Sequence, residues 1–188
     1  MPQIKHFPKT RVAYVSEMGA MGEAVKRGFD QLFAWVGAQN VQPLGPSIGI
    51  FYDDPVKVAP EKQRSELCVP VGDFVQASGL VQIKDIGDVQ VATIVYQGAQ
   101  NIMTAYNELY DWLHAQGYRD DGAPMETYLS MPGEALRAEV AVPIAKMELL
   151  PAPNKPARKP AKKAVKKAVK KAAPKAAKKK PAKRAKKK

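Results

Sequence analysis

Two glutamates sit in the same local pattern: Glu66 in RSELCVPV (residues 64–71) and Glu139 in RAEVAVPI (residues 137–144). Both stretches are otherwise small or branched and apolar, the composition of a buried strand. A carboxylate in such a place is costly unless a cation meets it. Side chains alternate along a strand, so Val140, Val142 and Ile144 share one face, and Glu139, Ala141 and Pro143 share the other. Leu67, Val69 and Val71 likewise oppose Glu66, Cys68 and Pro70. The branched face is suited to packing under a helix. The acidic face, bordered by small residues, predicts the floor of a cleft. The guest such a cleft takes is an apolar small molecule with a positive charge. Glu139 would supply the counter-charge, and aromatic walls would add cation–π attraction of about 1–2 kcal/mol. Phe51 in IGIFYDDP (48–55) and Tyr128 in METYLSMP (125–132) hold matching positions on the neighbouring strands. The expected ligand site is therefore Glu139, Tyr128, Phe51, Glu66, Tyr96 and Ala141. An alternative chemistry is hydrolysis, with Glu139 as general base on a water and Tyr128 or Tyr96 as hydrogen-bond donor. A plainer role for each glutamate is an ion pair with Arg64 or Arg137, two residues upstream.

The elements that must position these residues come in two copies. Gln3-Ile4-Lys5 recurs as Gln82-Ile83-Lys84, each followed by a strand (Val12–Val15, Val91–Ile94) that runs to Gly19 or Gly98. A helical pattern follows. Val25, Phe29, Leu32, Phe33 and Val36 repeat their spacing as Ile102, Tyr106, Leu109, Tyr110 and Leu113, one apolar face at the α-helical period. Short strands stopped by Pro55 and Pro132 come next, and the two glutamate strands close the copies. The predicted fold is α+β: a tandem pseudo-twofold repeat of antiparallel βαββ-type units, about 3–71 and 82–144. Each sheet carries a helix, and a ligand cleft lies between the units. The body spans residues 1–150.

The ordered set RVAYVSEMG (11–19), FDQLFAWV (29–36), IGIFYDDP, ELCVPV (66–71), YNELYDWL (106–113), ETYLSMP (126–132) and AEVAVPI (138–144) resembles the GyrI-like, or AraC-type, effector-binding domain. The resemblance covers nearly all of residues 3–148. It implies a tandem fold of two antiparallel sheets with a central cleft for hydrophobic, often cationic, small molecules. It also implies ligand contact by a glutamate at the position of Glu139 and by aromatics near Tyr128. A subset of the family is proposed to hydrolyse small molecules. Ala141 stands where many members have a larger aromatic, which implies a wider pocket here. Family members often carry an N-terminal helix-turn-helix, for which the residues before Gln3 leave no room.

Charge is divided sharply along the chain. Residues 1–150 hold all 18 acids and 12 of the 30 basic residues, a net of −6; residues 151–188 hold the other 18 basic residues and no acid. That second stretch is Lys, Ala and Pro with little else, and resembles the tails of linker histones and bacterial histone-like proteins. Its composition predicts a disordered segment that binds DNA or another polyanion through phosphates, without reading bases. The expected contacts are Lys155, Arg158, Lys159, Lys162, Lys163, Lys166, Lys167, Lys170, Lys171, Lys175, Lys178, Lys179, Lys180, Lys183, Arg184, Lys186, Lys187 and Lys188. The combined expectation is an effector-binding protein tethered non-specifically to DNA, cytoplasmic and nucleoid-associated, with a transcription-related role. An architectural DNA-binding protein is the other alternative.

Other chemistries find little support. Cys68 is the single cysteine, so there is no internal disulfide or thiolate cluster. His6 and His114 stand in unrelated contexts, which argues against a metal site or a histidine triad; no cofactor is expected. No apolar run reaches the roughly 18 residues of a membrane span. Asp53-Asp54 and Asp120-Asp121 read as turn residues.

Overall fold

The computed structural model describes residues 1–130 and 133–147; Pro132 and the basic segment 151–188 lie outside the described residues. Alternating apolar runs form the strands β1 (Gln3–Phe7), β2 (Thr10–Met18), β3 (Ile48–Phe51), β4 (Arg64–Pro70), β5 (Gln82–Ile86), β6 (Val89–Gln97), β7 (Tyr118–Asp120), β8 (Met125–Tyr128) and β9 (Arg137–Lys146). The two segments with helical periodicity form α1 (Met21–Ala38) and α2 (Ile102–Ala115). Asp120, read from sequence as a turn residue, instead ends β7, which pairs with the last residues of β9.

The strands make one curled antiparallel sheet in the order β1-β6-β9-β8-β3-β4-β2-β5, with β7 attached to β9. The two sheets that the family resemblance implies are a single sheet in the structure. β3 pairs with β8 (Ile48↔Thr127, Ile50↔Met125), and this seam fuses the halves. The first strand of each half is also exchanged: β1 pairs with β6, and β5 with β2. The connectors Pro8–Lys9 and Gly87–Asp88 therefore cross. The Asp88 amide donates to the Phe7 carbonyl at 2.9 Å. A Cβ on Gly87 would lie 2.3 Å from the Pro8 carbonyl oxygen, and φ there is +87°, so only glycine fits the crossing.

One face of the sheet carries both helices. α1 lies over β2 and β4, and α2 over β6 and β7. Leu32 packs with Val15, Leu67 and Val69. Leu109 and Leu113 pack with Ile94, Val140 and Val142. The branched faces of β4 and β9 thus meet the helices. The opposite face holds a third cluster, Phe7, Val12, Ile48, Ile50, Cys68, Val91, Met125 and Ala141, flanked by Tyr14 and Ile86. Every strand but β7 contributes to it, which is what the curl of the sheet accomplishes.

The buried seam of α1 is Ala24, Gly28 and Leu32, so Phe33, expected on the apolar face, is left 47% exposed and stacks on Phe29 at 5.8 Å. Gly28 sets the closeness of helix to sheet: a Cβ there would meet Leu67 Cδ2 at 2.6 Å and Glu17 Cγ at 3.0 Å. Gly28→Ala should gain about 1 kcal/mol in helix propensity and lose about 1–3 kcal/mol to overpacking. The net expectation is a Tm lower by a few degrees in calorimetry; an unchanged or higher Tm would mean that Leu67 has room to move.

Candidate functional site

The helices leave the central strands β3 and β8 between them. Along that strip alternation sends Glu126 and Tyr128 to the helix face, while Met125 joins the opposite cluster. Phe51 and Gly49 lie on the helix face of β3, where the Phe51 ring and the Tyr128 hydroxyl occupy the space a Gly49 side chain would need, 2.9 and 3.2 Å from its Cβ position. Glu126 sits directly across from Gly49 in the β3–β8 register, so the missing side chain on one strand lets the Phe51 ring and the Tyr128 hydroxyl pack beside the acid on the other.

Glu126 is 4% exposed. Tyr106 of α2 donates its hydroxyl to Oε1 at 2.9 Å; Tyr96 of β6 and Tyr128 each donate to Oε2 at 3.3 Å. Phe29 of α1 closes the other side, edge-on to Tyr128 with ring centroids 5.4 Å apart. Tyr110 continues the α2 wall, stacked on Tyr106 at 6.4 Å. Burial raises the Glu126 carboxyl above its ordinary value, and the three hydroxyls only partly offset this. The same burial, with the charge of Glu126, pushes the phenols of Tyr96, Tyr106 and Tyr128 well up. Other sheltered acids have cations. Glu17 takes Arg27 at 2.5 Å, Glu139 takes Lys5 at 2.6 Å, and Glu66 takes Lys84. The partners of Glu126 among the described residues are all neutral hydroxyls.

The residues expected to share one cleft fall on two faces. Tyr128, Phe51 and Tyr96 line the strip around Glu126. Glu139, Glu66 and Ala141 lie on the far face, because β8 and β9 register Thr127 against Glu139 and Tyr128 against Ala138. Glu139 and Tyr128 therefore cannot contact one molecule on one side of the sheet. The arginines two residues upstream are not the partners of the two glutamates either. Lys5 and Lys84, the lysines of the repeated Gln-Ile-Lys, reach them from the exchanged strands, and Tyr52 adds a hydrogen bond to Glu66 at 2.5 Å. Lys84 also lies over the Tyr14 ring, 4.5 Å from its centre. Cys68 is buried, its thiol pushed up to about 12 by desolvation. Glu126 is the residue that sequence reasoning passed over, although the alternation that places Tyr128 on the strip places Glu126 there too. Among the described residues no group of three or more His, Cys, Asp or Glu is arranged to hold a metal ion, and no helix is long and apolar enough to cross a membrane.

Known proteins share this fold. A family model described as "GyrI-like small molecule binding domain" matches residues 1–145. A DNA gyrase inhibitor of Edwardsiella piscicida is 31% identical over 138 residues, 68% of this chain and 87% of that protein. The DNA gyrase inhibitor of Escherichia fergusonii is 38% identical over 69 residues; that match spans 44% of its length. Among solved structures, the EcmrR C-terminal domain aligns over 78% of this chain and 98% of its own, with TM-score 0.62 and 17% identity. SAV2435, solved bound to tetraphenylphosphonium, aligns over 77% of this chain and 94% of its own, with TM-score 0.50 and 12% identity. With its family model covering residues 1–145, the chain belongs to the GyrI-like small molecule binding domain family.

Proposed function

We propose that the chain binds an apolar small molecule bearing a positive charge in the strip between α1 and α2. Glu126 supplies the counter-charge, and Phe29, Phe51, Tyr96, Tyr106 and Tyr128 form the walls. The observation that carries this is a buried carboxylate whose hydrogen-bond partners among the described residues are hydroxyls alone. It is desolvated at a cost that a cationic guest would remove, and aromatic faces around it favour such a guest. The lipophilic cation bound to SAV2435 supports the same ligand chemistry. The two halves are read as copies of one unit about a pseudo-twofold axis, with Gly49 in the place that Glu126 fills in the second copy. Glu139 and Glu66, each held by a lysine of an exchanged strand, are assigned to joining the halves. Residues 151–188 are assigned to non-specific polyanion binding, which would keep the domain on DNA.

Calorimetric titration with tetraphenylphosphonium and with neutral triphenylphosphine oxide tests the reading. The cation should bind more tightly as pH rises from the ordinary glutamate range through the raised value of Glu126, by up to tenfold per pH unit in that window. The oxide should not follow that trend. Equal affinity for the two, or a flat pH profile for the cation, would remove Glu126 from the site.

A second reading is inhibition of DNA gyrase, favoured by the name of relatives that share up to 87% of their length with this chain. Loss of supercoiling by purified gyrase on adding the full chain would support it, and undiminished supercoiling would exclude it.

A further inference from the structure

We propose that two copies of this chain associate through the end formed by loops 39–47 and 71–81, each seating Phe74 in the other's hollow beside Trp35. The loop from β4 to β5 is firmly tied down. Val75 donates its amide to the Gly72 carbonyl at 3.1 Å, Ser78 and Val81 exchange two backbone hydrogen bonds at 3.1 Å, and Trp35 Nε1 donates to Ser78 Oγ at 2.7 Å. Val75 and Val81 pack into the cluster under α1. Between these anchors Phe74 stands 96% exposed and Leu80 77% exposed, and Leu44 on the adjoining loop is 69% exposed. Leu44 is itself fixed, its amide donating to the Pro70 carbonyl at 2.9 Å. Asp73 is the single charged residue in 39–47 and 72–81 together. Lys9 and Arg11 border the loops beside Leu44 and Gly72, and Arg11 donates to the Val75 carbonyl at 3.2 Å, so the charges lie at the rim. An ordered apolar surface that holds an aromatic in water within a polar rim has the anatomy of an interface.

The same loop borders a hollow of about 470 Å³, walled by Val15, Trp35, Leu80 and Val81 with Gln31 and Gln39. Knob and hollow therefore belong to one chain and one end of it. A twofold axis through that end lets each knob enter the partner's hollow at once, and such a contact closes after two copies. Phe74 brings about 150–250 Å² of surface. Leu44, Leu80 and the loop rims, counted on both copies, bring the total to the region of about 1,000 Å² where specific interfaces begin. The association is accordingly weak and concentration-dependent. It is independent of the ligand reading, since Glu126 takes no part.

Sedimentation equilibrium on the full chain tests this, in salt of about 0.3 M so that the basic segments do not repel. The average mass should rise from one chain toward two as protein increases from about 1 µM to several hundred µM, the range expected of a small interface. Phe74→Asp and Leu80→Asp, both at exposed positions, should each weaken association at least tenfold and leave the Tm within about a degree. Two outcomes overturn the proposal: a single-chain mass at every concentration, which would leave the surface to a different protein, or a dimer indifferent to both substitutions.

Discussion

Glu126→Gln should bind tetraphenylphosphonium about 10–100-fold more weakly, a loss of about 1.4–2.7 kcal/mol in keeping with one charge-assisted contact in a desolvated site. Triphenylphosphine oxide should bind the variant and the parent alike. The same substitution should stabilise the ligand-free protein, and the sign follows from the raised carboxyl. Below the ordinary glutamate value, about 4.3, folded and unfolded chains are both protonated there, and Glu126 costs nothing. Above it the unfolded chain releases the proton while the folded chain retains it. Stability then falls by about 1.4 kcal/mol per pH unit until the raised folded value is reached, and stays lower beyond it. The variant should therefore melt above the parent at neutral pH, and the gap should close as pH falls below the ordinary range. A variant that binds the cation normally, or that melts below the parent at pH 7, would mean that Glu126 is ionised without cost and serves the fold.

Ending the chain at residue 150 should abolish most of its affinity for DNA of any sequence. The remaining residues have a net charge of −6, and the 18 cations of 151–188 are gone. If about eight phosphates are neutralised in the full chain, log K should fall with log salt at a slope near −7, roughly four decades between 50 and 200 mM. The shortened chain should show neither the affinity nor the slope, while its binding of tetraphenylphosphonium should persist. Fluorescence anisotropy with two duplexes of unrelated sequence measures the DNA affinity and its slope, and calorimetry the cation. Retained DNA binding by the shortened chain would place the DNA-binding surface on the body, and a strong preference between the duplexes would point to base contacts that the Lys/Ala/Pro composition cannot make.

Much of this could be read without coordinates. The spacing of Leu109 and Leu113 specifies the buried side of α2, and alternation specifies that Val140 and Val142 face it. Alternation within a strand says nothing about its neighbour, however. One residue of register decides whether Tyr128 lies beside Glu139 or beside Ala138, and that choice moves a carboxylate to the other side of the sheet. The role of Lys5 was hidden for a related reason: its glutamate is 134 residues away, and they meet because β1 pairs in the opposite half. The three-residue strand β7 is too short to leave a periodic signal. Glu126 differs from these. Its neighbours in sequence place it correctly, but a buried acid reveals itself by lacking a cation, and that requires every nearby side chain to be known.

The crossed connectors at Pro8 and Gly87 bear on how the protein is made. Residues 3–7 find their partners at 89–93. A nascent chain leaving the ribosome must therefore wait on the order of 10 s, at ordinary rates of translation, before its first strand can be enclosed. During that interval β2 also lacks β5, so the amino-terminal half emerges with an open edge and an unfinished core, the state that chaperones recognise. Fragments cut between the halves should not fold separately, and a codon change that slows synthesis before β6 should lower the soluble yield without altering a single residue.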